Sequence, residues 1–276
     1  MKKTLAIALV LALALTFGAC GGSSGDTGDK QVLRVGMECN YAPFNWTQMD
    51  DSNNAVPISS GGYAGGYDVE IAKRLAEALD RELVIVKTEW EGLIPALNSG
   101  KIDVVIAGMS PTAERAESVD FSDPYYESEL VIVVRKDGPY VAAKSLADFS
   151  GAKITAQLST FHYTVIDQIP GVQKQTAMET FPAMIVALTS GKIDGYISER
   201  PGAVSAMAAN PELTFVEFAE GNGFVTSKED VAISVAVKKG SAELLESINE
   251  ALKNISQEVR EDLMNAAVEN QPVNEE

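Results

Sequence analysis

Leu97-Asn98-Ser99-Gly100-Lys101-Ile102-Asp103 recurs further along the chain as Leu188-Thr189-Ser190-Gly191-Lys192-Ile193-Asp194. In each copy an apolar helical run stops at a glycine suited to the position just past a helix end, and the chain re-enters an apolar strand. A turn of this kind also arises by chance, but two copies in matching settings predict two related lobes. Two lobes imply a cleft between them, which is where small ligands usually bind.

The sequence around the two copies reads as α/β. Strands are expected at Val32 to Met37, Leu83 to Val86, Ile102 to Ala107, Val131 to Val134, Ile154 to Ala156, Gly195 to Ile197 and Ala232 to Val237. Helices are expected over Asp68 to Leu79, with Asp68 as the cap, and over Phe181 to Leu188. Such alternation predicts parallel sheets with helices on both faces. Ser241 to Val268 carries two amphipathic patterns that should cover one lobe. Gly61 to Gly66 is glycine-rich but matches neither a Walker loop nor a dinucleotide fingerprint, and reads as an exposed turn.

At the amino end, Lys2 and Lys3 precede an unbroken apolar run from Leu5 to Leu15 and then Gly18-Ala19-Cys20. This pattern reads as a secretory signal over 1–19, too short to span a bilayer stably. Gly21 to Gly28 follows as a polar tether with a root-mean-square span of roughly 15 to 20 Å. The chain of 276 residues is 46% apolar with 22 Lys+Arg against 39 Asp+Glu, a net charge of −17 that becomes −19 when Lys2 and Lys3 leave with the signal. An acidic chain without clustered bases argues against nucleic acid as a partner. Two cysteines and one histidine supply no metal-ligand cluster and no disulfide framework, so no metal or cofactor is expected. His162, the single imidazole, has no serine elbow or metal spacing around it.

Several residues fall at the carboxyl ends of the expected strands. Ser110-Pro111 opens a helix after the strand ending at Ala107-Gly108, which points backbone N–H groups outward as an anion site to which Arg115 adds a guanidinium. A capped helix whose Arg115 pairs with Glu114 or Glu117 fits the same residues. Ser159 and Thr160 close a second-half strand and open another capped helix that could face the first. Tyr41 and Trp90 lie on loops after the first two strands, suited either to core filling or to stacking on a ligand, and Glu38 shares the Tyr41 loop. Cys39 reads as a small buried apolar residue.

Leu33-Arg34-Val35-Gly36, Tyr41-Ala42-Pro43-Phe44, Gly66-Tyr67-Asp68-Val69-Glu70, Gly92-Leu93-Ile94-Pro95-Ala96-Leu97, Met109-Ser110-Pro111-Thr112-Ala113-Glu114-Arg115 and Phe121-Ser122-Asp123-Pro124-Tyr125 stand in one order along the chain. In that order they resemble the family 3 extracellular solute-binding proteins, the polar amino acid receptors of ABC importers. The resemblance implies a two-lobe periplasmic-binding-protein-like fold of type II topology with two chain crossovers, lobe 1 being 32–127 plus 232–276 and lobe 2 being 128–231. It implies that Arg115 grips a ligand α-carboxylate with backbone N–H groups at Ser110 and Thr160, and that Ser159 faces the carboxylate from lobe 2. Gly108 and Ser110, within the motif that includes Met109, would receive the α-ammonium together with Glu199, which stands where the family usually has Asp. Tyr41 and Trp90 would sandwich the ligand side chain, with Glu38 facing a side-chain cation as in members that bind lysine, arginine or histidine.

Phe17-Gly18-Ala19-Cys20 also resembles the bacterial lipoprotein box, with Phe17 where that pattern usually has Leu. Lipidation of Cys20 and a tether over 20–31 would anchor the protein outside the cell membrane. The expected function is capture of an L-amino acid, cationic by preference, by a monomer that delivers it to ABC permease subunits. A receptor for an uncharged amino acid such as glutamine, a sensory lipoprotein and a dehydratase on the same fold are the other expectations.

Overall fold

A computed structural model describes residues 30–272. The signal over 1–19, Cys20 and the tether up to Asp29 lie outside the described residues, as do residues 273–276.

Two five-stranded mixed sheets form the two lobes. The first runs Glu82–Lys87, Val32–Met37, Val104–Val105, Ala232–Lys238, Val119–Glu127, and the second Gln173–Lys174, Lys153–Thr155, Gly195–Glu199, Leu130–Arg135, Leu213–Val216. Parallel sheets were expected, but in each lobe one strand runs against the other four. Ala232–Lys238 is antiparallel to both its neighbours, and Leu130–Arg135 is antiparallel to Gly195–Glu199 and Leu213–Val216. The reason is topological. A strand that enters a lobe from the crossover arrives from the opposite end to strands fed by a helical return.

The two crossover segments lie side by side, with the Ser128 N–H donating to Val231 O at 3.0 Å. A third layer, not anticipated, is the four-stranded antiparallel sheet of Asn40–Tyr41, Asn45–Gln48, Tyr63–Gly65 and Val56–Pro57. The expected turn over Gly61 to Gly66 therefore contains one of its strands, with Gly61 and Gly62 at positive φ forming the bend before it.

The repeated heptapeptide occupies equivalent places in both lobes. Gly100 and Gly191 sit at φ 74° and 73°, the left-handed region that ends a helix. Lys101 N–H donates to Ala96 O and Lys192 N–H to Ala187 O, each at 2.9 Å. In each copy the following Asp reaches the neighbouring strand: Asp103 accepts from the Arg34 N–H at 2.8 Å and Asp194 from the Lys153 N–H at 2.9 Å. Asp103 also takes the Arg34 side chain, at 3.0 and 2.6 Å.

The first lobe buries Leu33, Val35, Met37, Ile71, Leu75 and Ile85 between sheet and helices, each side chain contributing roughly 1.5–3 kcal/mol. The C-terminal helices Ala242–Lys253 and Gln257–Asn270 cover this lobe through Ile248, Leu252 and Met264. Gln271, just past them, hydrogen-bonds Ser205 on helix Arg200–Ala209 of the second lobe. No helix among the described residues is long and apolar enough to cross a membrane.

Candidate functional site

The cleft between the lobes opens at the carboxyl ends of the parallel strands. Tyr41, Trp90, Gly108, Ser110 and Arg115 line it from the first lobe, and Gln157, Thr160, Phe161, His162, Phe181 and Glu199 from the second. Seven of the expected site residues thus meet in one place.

Arg115 follows from a local rearrangement of the expected helix start. Ser110-Pro111 forms a tight turn closed by the Thr112 N–H donating to Ser110 O at 2.9 Å, and the short helix Ala113–Ala116 is capped instead by Thr112, whose hydroxyl accepts from the Arg115 N–H at 3.4 Å. The guanidinium donates to Ser110 O at 2.9 Å and to Ser159 O at 3.1 Å, and its carbon lies 4.9 Å from the Trp90 ring centroid. Stacking and backbone hydrogen bonds fix its plane at the cleft wall. Burial pulls the guanidinium down to about 10, still a full cation at neutral pH.

Gly108 lies at φ 61°, and a Cβ there would stand 2.9 Å from the Tyr41 ring, so only glycine lets the strand end pass beneath that aromatic. Asp68, expected as a helix cap, plays a different part: helix Tyr67–Ala78 begins after Gly66 without a side-chain cap, and Asp68 is fully buried. Its carboxylate accepts from Asn45 Nδ2 at 2.8 Å and from the Tyr125 hydroxyl at 2.7 Å, and Tyr125 also meets the Gly108 N–H at 3.3 Å. Burial pushes Asp68 up to about 6 against these donors. The network ties the Gly108 turn to the core, because a buried carboxylate without its donors would be costly.

Glu199 ends strand Gly195–Glu199 and is 4 % exposed. Its Oε2 accepts from the Tyr41 hydroxyl across the cleft, and its Oε1 stands 3.0 Å from His162 Nε2. The His162 contact lacks the alignment of a hydrogen bond, so it is read as a close charge contact. Burial acts to raise the Glu199 carboxyl, but the His162 charge and the Tyr41 donor outweigh it and hold it below the usual carboxylate range.

Tyr41 stacks on Phe181 of the second lobe, with centroids 4.1 Å apart. Tyr41 also stacks on Phe44 at 5.0 Å and Arg115 lies over the Trp90 ring, so both expected sandwich partners already meet protein groups, and Phe181, legible in the sequence only as part of a helix, joins them at the cleft. Gln157 and Phe161 were overlooked in the same way, and His162 was seen only as an isolated imidazole.

Three expected site residues lie beside this group of seven, Met109 and Ser159 in an adjoining pocket that shares Trp90, Arg115, Thr160 and Phe161. Glu38 is 2 % exposed behind Gln157, whose Nε2 donates to its oxygens at 3.1 and 3.3 Å. Burial drives the Glu38 carboxyl up to about 7, with Glu89 adding repulsion. Met109 is buried. Ser159, at φ 56°, presents its carbonyl to Arg115 and Trp90 and gives its hydroxyl to Glu91 at 2.8 Å. Thr160 caps its helix by position alone, its hydroxyl donating to Gln157 O at 2.7 Å. Cys39 is buried, and burial pushes its thiol up to about 12, as suits an inert core residue. A groove between Pro124–Glu127 and the last helix contains Arg260, whose guanidinium is held by the carbonyls of Ile255, Pro124 and Leu252.

Comparison with known proteins converges on the same fold. A Campylobacter jejuni protein named as a probable histidine-binding protein is 34% identical over 232 residues, covering 81% of this chain and 85% of its own. The ABC transporter arginine-binding protein 1 of Escherichia coli K12 is 30% identical over 262 residues, covering 92% of this chain and 93% of its own. An amino acid ABC transporter substrate-binding protein from Streptococcus pneumoniae, solved with L-arginine bound, superposes with a TM-score of 0.77 at 28% identity, covering 87% of this chain and 95% of that one. The model of bacterial extracellular solute-binding proteins, family 3, matches residues 33–265, and the chain belongs to that family.

Proposed function

We propose that this protein is the receptor of an ABC importer and closes its two lobes on an L-amino acid with a cationic side chain. One observation carries the reading. A fixed guanidinium, Arg115, and a buried carboxylate, Glu199, line the same cleft from opposite lobes, matching the two charges of an amino acid backbone. Each lobe alone supplies half of that recognition, so a ligand contacting both favours the closed arrangement. Tyr41, Trp90 and Phe181 line the cleft for the side chain, which must part the Tyr41–Phe181 stack to lie between those rings, and Gly108 and Ser110 offer backbone groups to the ammonium. The arginine- and histidine-binding relatives support a cationic ligand, for which Glu38, reached through Gln157, is the counter-charge.

In this reading 1–19 is the signal, Cys20 the lipid attachment and 20–31 the tether. Lobe 1 is 32–127 plus 232–276 and lobe 2 is 128–231. The monomeric receptor is held outside the membrane beside its permease. It is a binding protein and not an enzyme.

A second reading draws on Glu38 itself. A carboxyl at about 7 is partly protonated near neutrality, and the acid form suits a polar uncharged side chain such as that of glutamine. Titrating wild type and Glu38→Gln with L-arginine, L-lysine and L-glutamine separates the two. Loss of arginine and lysine affinity in the variant supports the cationic ligand, and unchanged affinity removes it. Arg115→Ala should weaken any amino acid by roughly 100-fold or more, since a buried carboxylate is left unpaired.

A further inference from the structure

His162 sits in the first turn of the short helix Phe161–Val165 and is 4 % exposed. Its ring packs on Phe161 with centroids 4.5 Å apart, and neither ring nitrogen makes an aligned hydrogen bond among the described residues. A buried polar group in that state is destabilising unless a charge beside it compensates. The charge beside it is Glu199 Oε1, 3.0 Å from Nε2, while Oε2 of the same carboxylate is taken by the Tyr41 hydroxyl. Both oxygens of the acid facing the cleft therefore already meet protein groups, one from each lobe.

We infer that His162 is a specificity-determining residue that competes with the ligand ammonium for Glu199, so that amino acid capture expels a proton whenever the imidazole carries one. The inference rests on the reading that the ligand ammonium meets Glu199. The ammonium keeps its own protons and takes the place of the imidazolium against Oε1. The proton on His162 then faces a second cation instead of a free carboxylate, and leaves to solvent. A ligand whose α-nitrogen is uncharged leaves the His162–Glu199 contact intact and is rejected.

The charged and titratable groups around the imidazole come from four elements. Glu199, which ends strand Gly195–Glu199, places its carboxylate 3.0 Å from the ring, and Arg115 on helix Ala113–Ala116 brings a guanidinium to the same cleft. Tyr41 on strand Asn40–Tyr41 supplies only its hydroxyl to Glu199. Glu38, behind Gln157 at the end of strand Val32–Met37, also changes charge near neutrality and must be separated from the effect of His162.

The test is calorimetry on the mature chain in the Glu38→Gln background, with L-glutamine as a probe free of side-chain charge. Binding is measured near pH 5.5 and near pH 8, the range over which free imidazole changes charge, in two buffers of different ionisation enthalpy. Affinity should be about 5- to 10-fold weaker at the lower pH, with a buffer-dependent heat that reports proton release. Adding His162→Gln should abolish both effects. A pH dependence and proton release that persist without the imidazole, or that are absent with it, overturn the inference.

Where L-glutamine is too weak a probe, L-arginine binding to wild type and to His162→Gln reads the same two quantities as the difference between those two proteins. If His162→Gln does not fold by thermal melting, the signal of this single histidine in the Glu38→Gln protein replaces it: its titration midpoint must fall on adding ligand, and an unmoved midpoint refutes the competition. Failure of wild type to bind any L-amino acid at either pH would instead refute the proposed function, and this inference with it.

Discussion

Glu38→Gln should make the ligand-free protein more stable at pH 8 while weakening it as a receptor. The carboxyl is 2 % exposed and is driven from 4.5 to about 7 by burial, against the opposing donor of Gln157. At about 1.4 kcal/mol for each tenfold change, that difference corresponds to about 3 kcal/mol. The sign follows from proton binding: between 4.5 and 7 the folded chain holds a proton that the unfolded chain has released. Stability is therefore full below 4.5, declines as pH rises through this window, and is lower by about 3 kcal/mol above 7. Asp68, raised to about 6, adds a decline of the same sign over a lower range. An amide at position 38 keeps an acceptor for Gln157 and carries no charge to bury. Urea melts at pH 5 and pH 8 should show the variant ahead of wild type by about 2–3 kcal/mol at the higher pH, with the gap shrinking at the lower. A variant no more stable than wild type at pH 8 would refute the assignment of Glu38 as a charge held in the interior for its ligand.

Two further substitutions probe the repeat and the cleft floor. Asp103→Ala should destabilise by about 2 kcal/mol and Asp194→Ala by about 1 kcal/mol, because Asp103 holds both the backbone and the side chain of Arg34 whereas Asp194 holds only the Lys153 N–H. Equal losses in denaturant melts would contradict that ordering. Gly108→Ala should leave secondary structure intact in circular dichroism but reduce amino acid affinity at least about tenfold, since the added methyl displaces the Tyr41 ring. Undiminished binding would mean that Tyr41 does not set the shape of the cleft.

Much of this molecule is legible before its structure is known. The heptapeptide repeat marks equivalent turns because a helix that stops at a left-handed glycine and hands over to a buried strand imposes residue types that spacing reveals. Long apolar strands such as Leu130–Arg135 announce themselves in the same way. The strands Asn40–Tyr41, Tyr63–Gly65 and Val56–Pro57 do not, since two or three residues carry no period. Asp68 reads as a helix cap because acids are common in a first turn, and only the packing of Asn45 and Tyr125 around it shows a buried acceptor.

The cleft divides along similar lines. Arg115, Tyr41, Trp90 and Glu199 sit in motifs or at strand ends, so their places follow from the chain. His162 and Phe181 reach the cleft by the approach of one lobe to the other, which no local pattern encodes. Gln157 stands just past the end of a short strand, yet its contact with Glu38 spans the two lobes and is invisible in either half alone.

The most direct test of the account is a thermal-shift measurement of the mature chain against the twenty L-amino acids, each at high concentration. A ligand present at 100 times its dissociation constant stabilises by about 2.7 kcal/mol, a rise of roughly 5 to 10 °C for a protein of this size. The account predicts the largest rise with arginine, lysine or histidine, and no such rise for Arg115→Ala. A set of twenty unshifted melting curves, or an equal rise in the Arg115→Ala protein, would contradict it.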